Sequence, residues 1–206
     1  MRKALQHLRQ ADPVIGGLIE ALGSYRIEYS PPEFSTIVRC IIYQQLSGKV
    51  ALTIYKRLEA ALGGGRGMTP AAVLALSVDS MRRLGLSGRK VEYIRDFAQG
   101  CVSNEIDLAP LHSMEDAEVM RRLTGRRGIG PWTVHMYLIF ALRRPDVLPV
   151  GDLGVRAAVR NVYGLEATPP PAEVARLGEP WRPYATVATW YLWRSLGDGG
   201  GLDPEV

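Results

Sequence analysis

The 206-residue chain has only two cysteines, Cys40 and Cys101, far apart in sequence. Two thiols cannot supply a four-thiolate iron–sulfur or zinc site within one chain. They read instead as reduced thiols in the helices of a cytoplasmic protein. Long apolar runs are missing too: none reaches the roughly 18 residues that a membrane span needs. The opening MRKALQHLRQADP is charged but has no apolar stretch of the signal-peptide kind behind it. The expected location is therefore the cytoplasm, with nucleoid association if the source is bacterial. Alternating apolar–polar stretches that would mark strands are absent, as are internal repeats. Acidic excess is absent as well: the net charge is +4, and arginine supplies 21 of the 25 basic side chains. Such a balance fits phosphate binding, but it fits the coding bias of a GC-rich genome equally well.

What is present is helix. Asp12-Pro13 reads as an N-cap and first helical position leading into VIGGLIEAL. FSTIVRCIIYQQL and KVALTIYKRLEAAL carry apolar residues at three- and four-residue spacing, the second stopping at Gly63-Gly64-Gly65. Thr69-Pro70 opens AAVLAL, and Ser87 opens GRKVEYIRDFAQGC. Ser113 and Asp116 resemble a capping box for EDAEVMRRL. PWTVHMYLIFAL follows, Asp152 starts LGVRAAVRNVY, and Pro180 starts WRPYATVATWYLWRSL. IDLAPL and the Pro169–Pro171 run read as connectors. The tail GDGGGLDPEV is expected to fray. The fold class is all-α, with about ten helices.

The stretch TGRRGIGPWT, from Thr124 to Thr133, places two glycines between two helices. It is not a dinucleotide loop, because Thr133 stands where a third glycine is needed and no strand precedes it. Nor is it a Walker loop, since no Gly-Lys-Ser/Thr follows. Gly128 and Gly130 can take positive φ and admit a close backbone neighbour, while Pro131 suits the first position of the next helix. Free amides at that helix start would face an anion such as a DNA phosphate. Spacing alone fits an ordinary helix–helix turn as well.

In L-T-G-R-R-G-I-G-P-W-T, followed by L-P-V-G-D-L-G-V-R, the sequence resembles the helix-hairpin-helix (HhH-GPD) DNA glycosylase superfamily. That family carries an aspartate at the start of a later helix, and Asp152 holds the place here. Upstream, I-I-Y-Q-Q-L-S-G-K-V-A resembles the segment that enters the duplex. Downstream, P-W-R-P-Y-A-T-V-A-T-W-Y resembles the closing helix of the 3-methyladenine DNA glycosylase II branch. The likeness covers residues 34 to 195 and lacks the N-terminal β-rich domain of some members, so it suggests a compact form.

The resemblance implies a two-lobed helical fold. One lobe spans residues 34–143 and contains the hairpin; the other joins 1–33 to 144–206. The active site is expected in the cleft between them. The connector Arg143–Gly151 can span about 30 Å when extended, more than the about 18 Å length of the preceding helix, so it can return Asp152 toward the hairpin. On the residues alone, Asp152 is also a plain helix N-cap.

By resemblance Asp152 is catalytic, and Trp132 and Trp190 line the base pocket with Met136 and Tyr191 as neighbours. Met136 and Leu153 replace family aromatics, which leaves the substrate range open. Electron-rich rings attract the positive charge of an alkylated base. Trp181 and Trp193 read as core. Gly125, Arg126, Arg127, Gly128, Ile129 and Gly130 form the DNA-binding hairpin, with Lys49 a further phosphate contact. Gln44, Gln45, Leu46 and Ser47 form the wedge loop, from which Gln45 or Leu46 fills the gap left by a flipped base. His135 reads as packed rather than catalytic.

Family members that also cut the strand use a lysine where this chain has Trp132, and an indole forms no Schiff base. The expected activity is therefore monofunctional hydrolysis of alkylated bases, 3-methyladenine and 7-methylguanine above all. The partner is double-stranded DNA and the state a monomer. The alternatives are a glycosylase for oxidised or deaminated bases, and a non-catalytic DNA-binding protein. Bond cleavage needs no metal or cofactor, although the family's hairpin carbonyls often hold a Na+ or K+ ion.

Overall fold

A computed structural model describes residues 1–64 and 67–197. Gly65 of the expected helix stop lies outside the described residues, as does all but the first residue of the tail expected to fray. Every regular element among the described residues is helical, with no strand. The chain divides into two compact units, Ser30–Leu142 and Met1–Tyr29 with Arg143–Val206.

The unit Ser30–Leu142 is built on α3 (Phe34–Tyr43), which packs against α4 (Gly48–Ala61), α7 (Gly88–Val102) and α9 (Pro131–Phe140). Ile37, Val38, Cys40, Ile41 and Ile42 of α3 are wholly buried. Apolar residues nearly all round α3 thus mark a central helix, not a surface one. Phe34 stacks on Phe97 of α7 with ring centroids 5.2 Å apart. α5 (Pro70–Ala75) and α6 (Val78–Arg83) pack on α7, and α8 (Asp116–Thr124) packs on α9. Arg95 donates to the carbonyls of Leu74 and Leu76 at 3.2 and 2.9 Å, satisfying the open end of α5.

The second unit holds α1 (Arg2–Ala11), α2 (Pro13–Leu22), α10 (Leu153–Val162), α11 (Pro171–Gly178) and α12 (Ala185–Ser195). α12 is its centre, buried from Ala185 through Trp193, with α1, α2 and α10 against it. Asp12 ties the unit together. Its Oδ1 accepts the amides of Val14 and Ile15 at the start of α2. Its Oδ2 accepts the Trp181 indole N–H at 2.8 Å and the Tyr163 hydroxyl.

The caps expected at Asp12, Thr69, Ser87 and Asp152 all form, each side chain accepting an amide two or three residues on. Ser113 does not cap. Its hydroxyl donates to the Pro110 carbonyl across the 3₁₀ turn Ala109–Ser113, so α8 starts after Glu115. Asp116 and Glu118 then place negative charge at its dipole-positive end. The last helix does not begin at Pro180. Pro180 lies in a 3₁₀ turn, Glu179–Trp181, Arg182 is extended, and α12 starts at Ala185. Two short helices, α6 and α11, were not expected, and Pro171 opens α11 instead of ending a connector.

Both cysteines are free, and burial raises their pKa values, to about 12 for Cys40 and about 11 for Cys101. Among the described residues, no group of three His, Cys, Asp or Glu could hold a metal, and no helix is long and apolar enough to cross a membrane.

Replacing Asp12 by alanine removes a cap and leaves a buried indole N–H without its acceptor. The expected cost is about 3 kcal/mol of unfolding free energy, measured by denaturant titration. A loss under about 0.5 kcal/mol would contradict the role given to Asp12.

Candidate active site

The hairpin joins α8 to α9 through Gly125–Gly130. Gly128 takes a φ of +80°, whereas Gly130 is extended at −92° and caps α9. Only the first of the two glycines therefore uses the left-handed freedom expected of both. Gly128 has a second reason to be glycine: an added Cβ would lie 2.1 Å from Cγ of Tyr93 on α7. Ile129, 2% exposed, anchors the turn, and its amide donates to the Arg126 carbonyl at 3.1 Å. Arg126 is half-buried and paired with Glu105, while the exposed Arg127 lies 3.3 Å from Glu92. Gly125 and Lys49 are exposed. The Arg126 carbonyl accepts the Ile129 amide, and a carbonyl oxygen has a second lone pair of the hard, neutral kind that can face a monovalent cation.

The Gln44–Ser47 turn is tied to this hairpin. The Gln44 amide Nε2 donates to the Gly128 carbonyl at 2.8 Å and to Thr133 Oγ1 at 2.9 Å. Its own carbonyl, with that of Ile42, accepts from Lys90 Nζ at 2.9 and 2.6 Å. Desolvation there lowers the Lys90 pKa. With Gln44 committed inward, the turn presents Gln45, at φ +57°, together with Leu46 and Ser47, all exposed. Lys90 has no local sequence signal, because it lies 46 residues from Gln44.

Asp152 is half-buried at the N-cap of α10. Its position is set by the segment before it. Thr186 Oγ1 donates to the Arg144 carbonyl at 2.7 Å and accepts the Val147 amide at 3.0 Å, fastening that segment to the start of α12. Asp152 Oδ1 then accepts the Val155 amide at 2.7 Å and the Trp193 indole N–H at 2.9 Å. Trp193 is buried, as a core residue would be, but its one polar atom meets the aspartate. Trp190 lies three residues earlier on α12, on the same helix face. It meets Tyr25 edge-on at 5.0 Å, an aromatic neighbour the sequence did not single out. Tyr191 is buried and its hydroxyl donates to the Gly23 carbonyl at 2.7 Å.

In the other unit, Trp132 is half-buried on the first turn of α9 and Met136 is buried one turn later. Leu153, which follows Asp152, is 71% exposed.

Residues 38–183 match the family model described as HhH-GPD superfamily base excision DNA repair protein. The chain belongs to the HhH-GPD superfamily. DNA-3-methyladenine glycosylase 1 of Schizosaccharomyces pombe is 32% identical over 95% of this HhH-GPD chain and 87% of its own length. The solved structure of the Schizosaccharomyces pombe 3-methyladenine DNA glycosylase in complex with abasic DNA superposes with a TM-score of 0.88 at 32% identity, covering 97% of this chain and 100% of that one. A DNA-3-methyladenine glycosidase from Bacillus halodurans gives a TM-score of 0.76 at 36% identity, over 93% and 87% of the two chains.

Burial lowers the pKa of His135 from its ordinary value of 6.5, because the charged imidazolium is poorly solvated there. The folded protein thus binds this proton less readily than the unfolded chain. Its contribution to stability is complete above pH 6.5 and falls as the pH drops toward the lowered folded value. His135→Gln is expected to flatten the decline of unfolding free energy below pH 6.5, measured by denaturant titration across pH. An unchanged slope would remove His135 as its source.

Proposed function

We propose that this HhH-GPD protein is a monofunctional DNA glycosylase. It hydrolyses the N-glycosidic bond of alkylated bases, 3-methyladenine and 7-methylguanine above all, in double-stranded DNA, and acts as a monomer. The observation that carries the reading is Asp152, a carboxylate fixed at a helix start by a backbone amide and an indole N–H.

As the glycosidic bond lengthens, its electron pair leaves with the base and positive charge grows on the deoxyribose. A fixed carboxylate stabilises that charge without reorganising at the moment of reaction. Water then bonds to the sugar carbon and loses a proton, leaving an abasic site. The base is drawn from the stack, Gln45 or Leu46 fills the gap, and the half-buried Trp132 offers a ring face to its positive charge. The hairpin amides and Arg127 meet the DNA backbone. The Arg126 and neighbouring hairpin carbonyls would hold a Na+ or K+ ion that adds positive charge near a phosphate.

Asp152→Asn keeps an N-cap acceptor but removes the charge. Single-turnover base release should fall by at least about a hundredfold, with binding to abasic-site DNA within about threefold of the parent. A mutant that releases base at the parent rate would refute the assignment. Trp132 stands where strand-cutting members have lysine, so the protein should leave an abasic strand that breaks only on alkali or heat. Stoichiometric nicking without either treatment would overturn the monofunctional reading.

A further inference from the structure

Trp193 and Gly154 have no place in the mechanism so far, yet Trp193 bonds its central group and Gly154 stands beside that bond. The Trp193 indole N–H reaches Asp152 Oδ1 at 2.9 Å, on the oxygen that also takes the Val155 amide at 2.7 Å. A cap alone fixes the carboxylate at one point and leaves it free to swing about that bond. A second donor, coming from a different helix, fixes the direction in which the group faces.

Gly154 is the slot that lets this donor in. A Cβ at position 154 would stand 3.1 Å from Asp152 Oδ1, 3.3 Å from Trp193 Cδ1 and 3.5 Å from Trp193 Nε1. Gly154 is not in the left-handed region, so conformation does not require glycine there. Space does. The indole is itself held, 3% exposed on the buried helix α12.

We infer that Trp193 is a positioning residue that aims the Asp152 carboxylate through its indole N–H, and that Gly154 is kept free of a side chain so that the indole can approach. The inference rests on Asp152 being the catalytic carboxylate. Trp193 touches neither base nor sugar on this view. Its effect passes entirely through Asp152, so its removal should slow bond breaking and leave DNA binding alone.

The test compares Trp193→Phe, Gly154→Ala and Asp152→Asn in the full chain. It measures the single-turnover rate of 7-methylguanine release, binding to abasic-site DNA, and thermal melting. Trp193→Phe keeps an aromatic ring but deletes the donor. It should lower the single-turnover rate about tenfold, with DNA affinity within about threefold of the parent. Gly154→Ala should slow release in the same direction while keeping affinity, and it serves as the deciding variant should Trp193→Phe fail to fold. Parent-like rates in whichever of these two variants folds, beside an inactive Asp152→Asn, would overturn the positioning role alone. A fully active Asp152→Asn would instead overturn the reading beneath it. A rate loss matched by an equal loss of DNA affinity would show general disruption and also reject the inference.

Discussion

An aspartate at the start of a helix must first satisfy backbone amides, because the opening turn has no carbonyls to offer them. This chain meets that need twice with the same residue type, and the two outcomes differ through their surroundings. Asp12 is nearly sealed from solvent and spends both oxygens on amides, an indole and a phenol, so it is spent as structural glue. Asp152 is only half-buried, and its cap and indole contacts both fall on one oxygen. The same local chemistry thus recurs in a sealed setting at Asp12 and in a half-open one at Asp152.

The placing of Asp152 depends in turn on where its helix begins. That start is fixed by the hold of Thr186 on the segment from Arg144 to Val147, which brings the first turn of α10 against α12. Within its own unit the buried helix α12 supplies the rigidity behind Asp152; in the other unit the buried helices α3 and α9 back the hairpin. Around the hairpin the constraint is space more than bonding, since the Tyr93 ring occupies the volume that any side chain at position 128 would need.

Features governed by near neighbours were legible in the sequence. Caps at Asp12, Thr69, Ser87 and Asp152 involve amides two or three residues away, and the helix–turn–helix around Gly128 follows from glycine and proline chemistry. Ser113 misled because its hydroxyl had a competing local partner, the Pro110 carbonyl. The short helices α6 and α11 lack enough turns to show a period. What stayed hidden was long-range. Trp193 meets Asp152 across 41 residues and Lys90 meets Gln44 across 46, and a tryptophan in an apolar helix or a lysine among other charges announces neither contact.

The two bonds from Gln44 to the hairpin and the Lys90 bonds behind it make the exposed turn and the hairpin one mechanical piece. On the proposed function, gripping a phosphate and prodding the base stack are then geared together, like two teeth on one wheel. On that same reading, a scanning molecule tests for a weak base pair at each place it seats the hairpin, with no separate search by a loose loop.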